Sequence, residues 1–255
     1  MPSVVTPNKT WNWRLWMRCA GWGALCAGIA WGGVEVRSFL DSDHRFALSR
    51  IDVNGTVYAK PERIREVFAG DLGKSIFTLP LAERRLRLLA VDWVQTLTVT
   101  RVWPDHLVVT VTERKPVAFA RMPLAGSSRH RLALIDSEGV LLALPSRVRF
   151  RLPVMSGVTE EQTEPQRRAR VEAMEHLLAD LGPQAKEISE VNAASVQDMK
   201  VIADVQGQAY ELWLGDQHFR SRYRNFTSHL SDIRKHSEEA GVFDLRMDDR
   251  ILARQ

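Results

Sequence analysis

The segment VTRVWPDHLVVTVTERKPVA, residues 99–118, reads as two extended runs joined by a turn. Both runs are rich in valine and threonine, which favour strands. Between them, residues 103–106 (Trp-Pro-Asp-His) have the composition of a turn, because proline fixes the φ angle that the turn requires. Residues 107–112 then alternate between the two faces of a strand. The segment therefore predicts a β-hairpin.

The residues before this hairpin predict one more strand and two helices. A strand over residues 48–53 ends at the turn dipeptide Asn54-Gly55. A short helix begins at Pro61 and ends at Gly70, and a second helix covers residues 79–89. The apolar side of this second helix is expected to carry Leu79, Ala82, Leu86 and Leu89. The order strand, helix, helix, strand, strand predicts a small antiparallel sheet with two helices on one face.

The residues after the hairpin predict a second domain, a sheet with two helices. Asp136 to Gly139 joins two short apolar runs in the pattern of a further hairpin. One helix begins at Pro165 and ends at Gly182-Pro183, and the other covers residues 219–236. Further strands are expected at residues 118–121, 132–135, 140–144, 152–154, 188–191, 199–205, 209–214, 243–247 and 251–253. The folded part is thus an α+β protein.

The N-terminus predicts a membrane anchor. Residues 19–34 contain no charged residue, and residues 15–17 extend the apolar run toward the length of a span. Basic residues precede the run and mixed charges follow it, which places the N-terminus in the cytoplasm. We therefore expect a cytoplasmic tail over residues 1–14 and a transmembrane helix over residues 15–36. A cleaved signal peptide and a buried helix of a soluble protein are the alternatives.

Composition argues against several classes of function. The 255 residues carry a net charge of +4 without a polybasic block, so nucleic acid is a weak partner hypothesis. The two cysteines, Cys19 and Cys26, both lie in the apolar run, which leaves no disulfide framework or cysteine metal site. The seven histidines are scattered, and no HExxH, G-x-S-x-G or phosphate-loop motif occurs. We expect no catalytic residue, no metal, no cofactor and no small-molecule substrate.

Six segments carry a family resemblance. They are FALSRIDVNG (46–55), KSIFTLPLAERRLRLLAVDWV (74–94), VTRVWPDHLVVTVTERKPVA (99–118), LIDSEGVL (134–141), LPVMSGV (152–158) and VFDLRMDDRILAR (242–254). The first three resemble the polypeptide-transport-associated (POTRA) domain as it occurs in the FtsQ/DivIB family of bacterial cell-division proteins. The last three are similar to that family's second domain. The resemblance implies a β-α-α-β-β POTRA domain at 46–115 and a mixed-sheet domain at 116–255, and the short stretch 37–45 favours the FtsQ branch.

The resemblance also implies a function and a site. It implies a single-pass divisome scaffold of the inner membrane, with a periplasmic domain at the septum, that helps recruit and regulate septal peptidoglycan synthesis. In that family the last strand receives an extended segment of FtsB, in a complex that also contains FtsL. The residues of this sequence that match are Arg246, Met247, Asp249, Arg250, Ile251, Leu252 and Ala253. The POTRA domain is implied to contact other divisome proteins.

Three alternatives remain open. The final strand is also consistent with an ordinary edge strand protected by the charges of Asp248, Asp249, Arg250 and Arg254. A POTRA domain also suits a periplasmic chaperone or a translocation component that handles unfolded proteins. An enzyme with an unrecognised site would require a deep pocket with perturbed titratable groups.

Overall fold

A computed structural model gives the fold of most of the chain. It describes residues 22, 28–29, 31–33, 35–40, 43–124, 126, 128–146, 148–236, 240–247 and 250–254. The predicted tail at 1–14 lies outside these residues, and the predicted span at 15–36 lies largely outside them. Among the residues described, no helix is both long enough and apolar enough to cross a bilayer. The chain divides into two compact units between Thr112 and Glu113.

The first unit has the predicted order of elements. These are β1 (Arg50–Asn54), α1 (Pro61–Glu66), α2 (Leu81–Leu89), β2 (Val94–Val102) and β3 (His106–Glu113), with 3-10 turns at His44–Phe46 and Ala69–Asp71. The strands lie in the order β1-β3-β2. The expected antiparallel sheet is wrong in one respect, because β1 runs parallel to β3. The two helices that follow β1 return the chain before the hairpin, and such a crossover makes parallel pairing possible.

The apolar side predicted for α2 is wrong for three of its four residues, since only Leu79, which precedes the helix, is buried. Leu86 is 70% exposed and Leu88 is completely buried, and Ala82 and Leu89 are exposed as well. The reason is an ion pair: Arg84 Nε donates to Asp71 Oδ2 at 2.6 Å, and the Asp71 side chain is almost fully buried. A helix that turns Arg84 inward exposes residues that an apolar pattern alone would bury.

The second unit is one large mixed sheet with two long helices, which confirms the predicted architecture. Its elements are β4 (Pro116–Pro123), β5 (His130–Asp136), β6 (Leu141–Leu142), β7 (Val154–Ser156), α3 (Glu164–Leu181), β8 (Ile188–Asn192), β9 (Met199–Val205), β10 (Gln208–Gly215), α4 (Phe219–His236), β11 (Val242–Asp244) and β12 (Leu252–Arg254), with a 3-10 turn at Gly182–Glu187. The strand order is β12-β11-β10-β9-β8-β7-β4-β5-β6.

The core of this unit lies between the sheet and the apolar sides of α3 and α4. Val171, Met174 and Leu177 of α3 are completely buried there. On the side of α4, the rings of Phe226 and Phe243 have centroids 5.2 Å apart. This packing fixes β11 against the helices, and β11 in turn carries the last strand.

The two final strands differ from the sequence prediction in their bounds. The strand expected at 243–247 ends at Asp244, and the last strand begins at Leu252 instead of Ile251. Asp244 ends its strand because its side chain accepts the backbone N–H of Arg246 at 3.2 Å. That bond forms a turn just after β11.

Candidate partner-binding edge of the C-terminal sheet

Strand β12 forms one edge of the large sheet. It pairs antiparallel with β11 in the register Val242 with Arg254, Phe243 with Ala253, and Asp244 with Leu252. Among the described residues no strand lies on its other side. All three of its residues are exposed. An unpaired edge of this kind presents backbone donors and acceptors to a further strand.

The backbone of Ala253 faces the open side of this edge. Glu211 N–H donates to Gly241 C=O at 2.8 Å, and Leu245 N–H donates to Trp213 C=O at 2.9 Å. Backbone groups alternate in direction along a strand, so those of residues 241, 243 and 245 face β10 and those of residues 242 and 244 face β12. Leu252 and Arg254 therefore bond to β11, while Ala253 directs its N–H and C=O away from it.

A buried carboxylate holds the edge strand in place. The Asp244 side chain, 7% exposed, accepts from Arg246 Nη2 at 2.6 Å and from Arg254 Nη2 at 3.0 Å. Hydrogen bonds from Arg246, with the charges of both guanidinium groups, lower the pKa of Asp244 to about 2. Arg246 also reaches Asp198 at 3.2 Å. Arg254 therefore ties β12 to β11 through its side chain as well as through its backbone.

An aromatic ring supports the same cations. The register places Lys200, Trp213 and Asp244 in one row across β9, β10 and β11. Lys200 Nζ lies 3.6 Å from the centre of the Trp213 ring, and the guanidinium carbons of Arg254 and Arg246 lie 4.0 Å and 5.1 Å from it. Such contacts stabilise each cation by about 0.5–1 kcal/mol at partly exposed sites. The row keeps these side chains ordered beside the edge.

A small cavity lies beside the segment that joins β11 to β12. Its volume is about 160 Å³. Its lining residues are Ser221, Arg222, Asn225, Leu245, Met247, Arg250 and Ile251. Leu245 is buried and Met247 is 53% exposed, and the buried Arg222 donates from Nη1 to Leu214 C=O at 2.6 Å. The cavity therefore combines an apolar wall with a fixed cation, at a size that suits one side chain of a bound peptide.

The structure brings most of the sequence-predicted site residues together. Leu252 and Ala253 lie in β12, while Met247, Arg250 and Ile251 line the cavity. Arg246 binds Asp244 and does not line the cavity, and Asp249 lies outside the described residues. None of this tests whether a partner binds there, so the assignment stays a prediction.

Sequence reasoning missed the residues that other elements contribute. Trp213 could have been found, because it occupies the outward-facing position of an alternating strand, where a large aromatic side chain is unusual. Lys200 and Arg222 gave no such signal, since only the sheet register and the packing of α4 bring them to the edge. The described residues contain no group of three metal-ligating side chains.

Comparison with known protein families identifies the first domain. Residues 46–114 match the family model of the POTRA domain, FtsQ-type. The chain is therefore a POTRA-domain protein whose second domain ends in an open sheet edge.

The chain is also similar to known cell-division proteins. It is 34% identical over 232 residues to the cell division protein FtsQ of Koribacter versatilis, covering 87% of this chain and 65% of that protein. It is 30% identical over 233 residues to that of Novosphingobium aromaticivorans, covering 91% and 68%. The chain belongs to the FtsQ family of cell-division proteins, which confirms the resemblance.

A third relative covers more of its own length. The cell division protein FtsQ of Geobacter sp. is 24% identical over 262 residues, which cover 97% of this chain and 92% of that protein. By contrast, the chain spans about two thirds of the length of the two relatives above.

Proposed function

We propose that this chain is a non-enzymatic divisome scaffold whose β12 edge accepts an extended strand from an FtsB-like protein, in a complex with an FtsL-like protein. By holding that pair it would help to recruit and regulate septal peptidoglycan synthesis. The POTRA domain would contact other divisome proteins. The single observation that supports the proposal is the open edge of β12, at which Ala253 offers both of its backbone groups.

Three features near the edge favour strand addition over a merely protected edge. The Asp244 ion pairs and the Trp213 ring order β12 before any partner arrives, which reduces the entropic cost of binding. The side chains of Leu252 and Met247 are exposed, by 43% and 53%, so apolar surface is available to a partner. The cavity beside Met247 supplies a place for one anchoring side chain.

The proposal includes a membrane anchor. The uncharged run at residues 19–34, the basic residues before it and the tryptophans around it support a single span with a cytoplasmic N-terminus. The large domains would then lie in the periplasm, at the division septum. Protease digestion of spheroplasts tests this directly: degradation of residues 43–254 without lysis supports the orientation, and complete protection contradicts it.

The edge is tested with the full chain in lipid nanodiscs and the FtsB/FtsL pair of the same organism. Ala253→Pro removes the outward N–H and leaves the bonds of Leu252 and Arg254 to β11 in place. The lost hydrogen bond and the unsatisfied partner carbonyl should weaken binding about tenfold or more. Binding is measured as a dissociation constant by biolayer interferometry.

Two further variants make the result interpretable. Ala253→Val keeps the N–H and favours a strand, so it should bind as the wild type does. Met247→Glu places a charge against the apolar wall of the cavity and should weaken binding without any change in the backbone. If a folded Ala253→Pro variant binds the pair as tightly as the wild type, strand addition at β12 is wrong.

A further inference from the structure

An exposed aromatic cluster lies at one end of the POTRA sheet. The ring centroids of Phe77 and Trp103 are 5.2 Å apart, those of Phe46 and Phe77 are 5.4 Å apart, and those of Phe46 and Trp103 are 6.1 Å apart. Trp103 is 65% exposed, while Phe46 and Phe77 are half-buried. An exposed tryptophan supported by two phenylalanines is an unusual feature of a soluble surface.

The cluster lies where the chain enters the POTRA domain from its N-terminal segment. Ser75 Oγ donates to Leu40 C=O at 2.8 Å, and Ile76 N–H donates to Phe46 C=O at 2.9 Å. These bonds fix the entering chain directly against the segment that carries Phe77. Val36 and Phe39, just before this point, are 60% and 53% exposed. Exposed apolar side chains therefore occur both in the N-terminal segment and in the cluster.

The surroundings of the cluster combine aromatic and cationic groups. Arg101 donates from Nε to Ile76 C=O at 2.5 Å and from Nη2 to Leu79 C=O at 3.3 Å, and neutral carbonyls leave its positive charge intact. The charge of Arg45, in the turn that ends at Phe46, is paired with Asp43 at 2.7 Å. Tryptophan with nearby arginine is the composition that lipid headgroup layers attract.

We infer that Phe46, Phe77 and Trp103 rest on the headgroup layer of the membrane and hold the POTRA domain against it. The inference rests on the proposed anchor, because only residues 37–45 separate the predicted span from Phe46. At most about 3.5 Å per residue, this connection keeps the cluster within about 30 Å of the bilayer. This short connection, together with the exposed Trp103 and the nearby Arg101, favours lipid as the occupant, and a protein partner at the cluster is the alternative outcome of the test.

The test uses the full chain in vesicles of phosphatidylethanolamine and phosphatidylglycerol, without other proteins. The photoreactive residue benzoylphenylalanine replaces Trp103 in one variant and Phe77 in another. A matched control carries it at Val57, which is 79% exposed and follows β1 at the opposite end of the same sheet. Lipid adducts are quantified by mass spectrometry after irradiation. Trp103 and Phe77 should give about tenfold more adduct than Val57.

The possible outcomes distinguish a failure of the lipid contact at the cluster from a failure of the membrane anchor. Co-flotation with the vesicles reports the anchor by itself. If the chain floats and folds but the Trp103 and Phe77 probes give no more lipid adduct than the Val57 probe, the inference is wrong and the anchor stands. If the chain does not float, both fail. In cell membranes, a protein adduct at Trp103 without a lipid adduct also overturns the inference.

Discussion

The Asp244 carboxylate should control how firmly the last strand is held, and Asp244→Asn isolates its charge. The substitution keeps the shape of the side chain but removes the negative charge that faces Arg246 and Arg254. The pKa of this carboxyl is about 2 in the folded chain against an ordinary 3.8. Each pKa unit corresponds to about 1.4 kcal/mol, so the contacts of the charge, mainly with Arg246, stabilise the folded state by about 2–3 kcal/mol.

Hydrogen exchange measures this stabilisation at strand β12 itself. At pH 7, the amides of Leu252 and Arg254 should exchange about fivefold faster in Asp244→Asn, because opening β12 breaks only the contact of Arg254 with Asp244, which contributes about 1 kcal/mol. Amides in the distant strand β5 should be unchanged. Equal protection of residues 252–254 in the two proteins would refute the reasoning.

The pH dependence of Asp244 has a definite sign. Because folding lowers the pKa, the stabilisation is complete above about pH 4 and is lost as pH falls toward the folded pKa of about 2. The difference in thermal stability between wild type and Asp244→Asn should therefore be constant from pH 7 to pH 5 and shrink toward zero near pH 2. A difference that persists unchanged at pH 2 would mean that the loss of the charge is not what destabilises Asp244→Asn.

Other perturbations test the packing of each unit. Arg84→Ala leaves Asp71 buried without its guanidinium partner and should lower the free energy of unfolding by about 3–5 kcal/mol, as measured by denaturant titration. Arg87→Ala, at an exposed pair on the same helix, should change it by less than about 1 kcal/mol. Gly157→Ala should destabilise the second unit strongly, because φ is +88° and a Cβ would overlap the backbone of residue 194. Gly207→Ala has a similar φ of +81° but open space, so its thermal shift should be much smaller, and equal shifts would contradict the steric argument.

The sequence predicted features that rest on local chemistry. The hairpin after β5 is an example: Asp136 Oδ1 accepts the N–H groups of Glu138 and Val140, and Gly139 has a φ of +80°. Turn residues of this kind act over a few positions, so their pattern is visible in the chain. The same holds for the long helices and for the alternation in β9 and β10. These elements were predicted correctly for that reason.

Features that depend on distant partners were not predicted. No local sequence pattern around Arg84 predicts that its side chain points inward to Asp71, which lies thirteen positions away. The parallel pairing of β1 with β3 likewise depends on how a crossover closes. At the site, Met247 and Ile251 were predicted, whereas Trp213 and Lys200 reach it only through the register of neighbouring strands.

The shortness of β12 limits what backbone pairing alone can achieve. Within its three residues only Ala253 directs its two groups outward, so a guest strand gains about two hydrogen bonds there. At about 1 kcal/mol each, these supply about 2 kcal/mol, whereas micromolar binding requires about 8 kcal/mol. A passing strand of arbitrary sequence would therefore dissociate quickly, and a second copy of this edge would gain no more. Tight binding therefore requires a segment whose side chains also fit the cavity and contact the row of Lys200, Trp213 and Asp244 beside it.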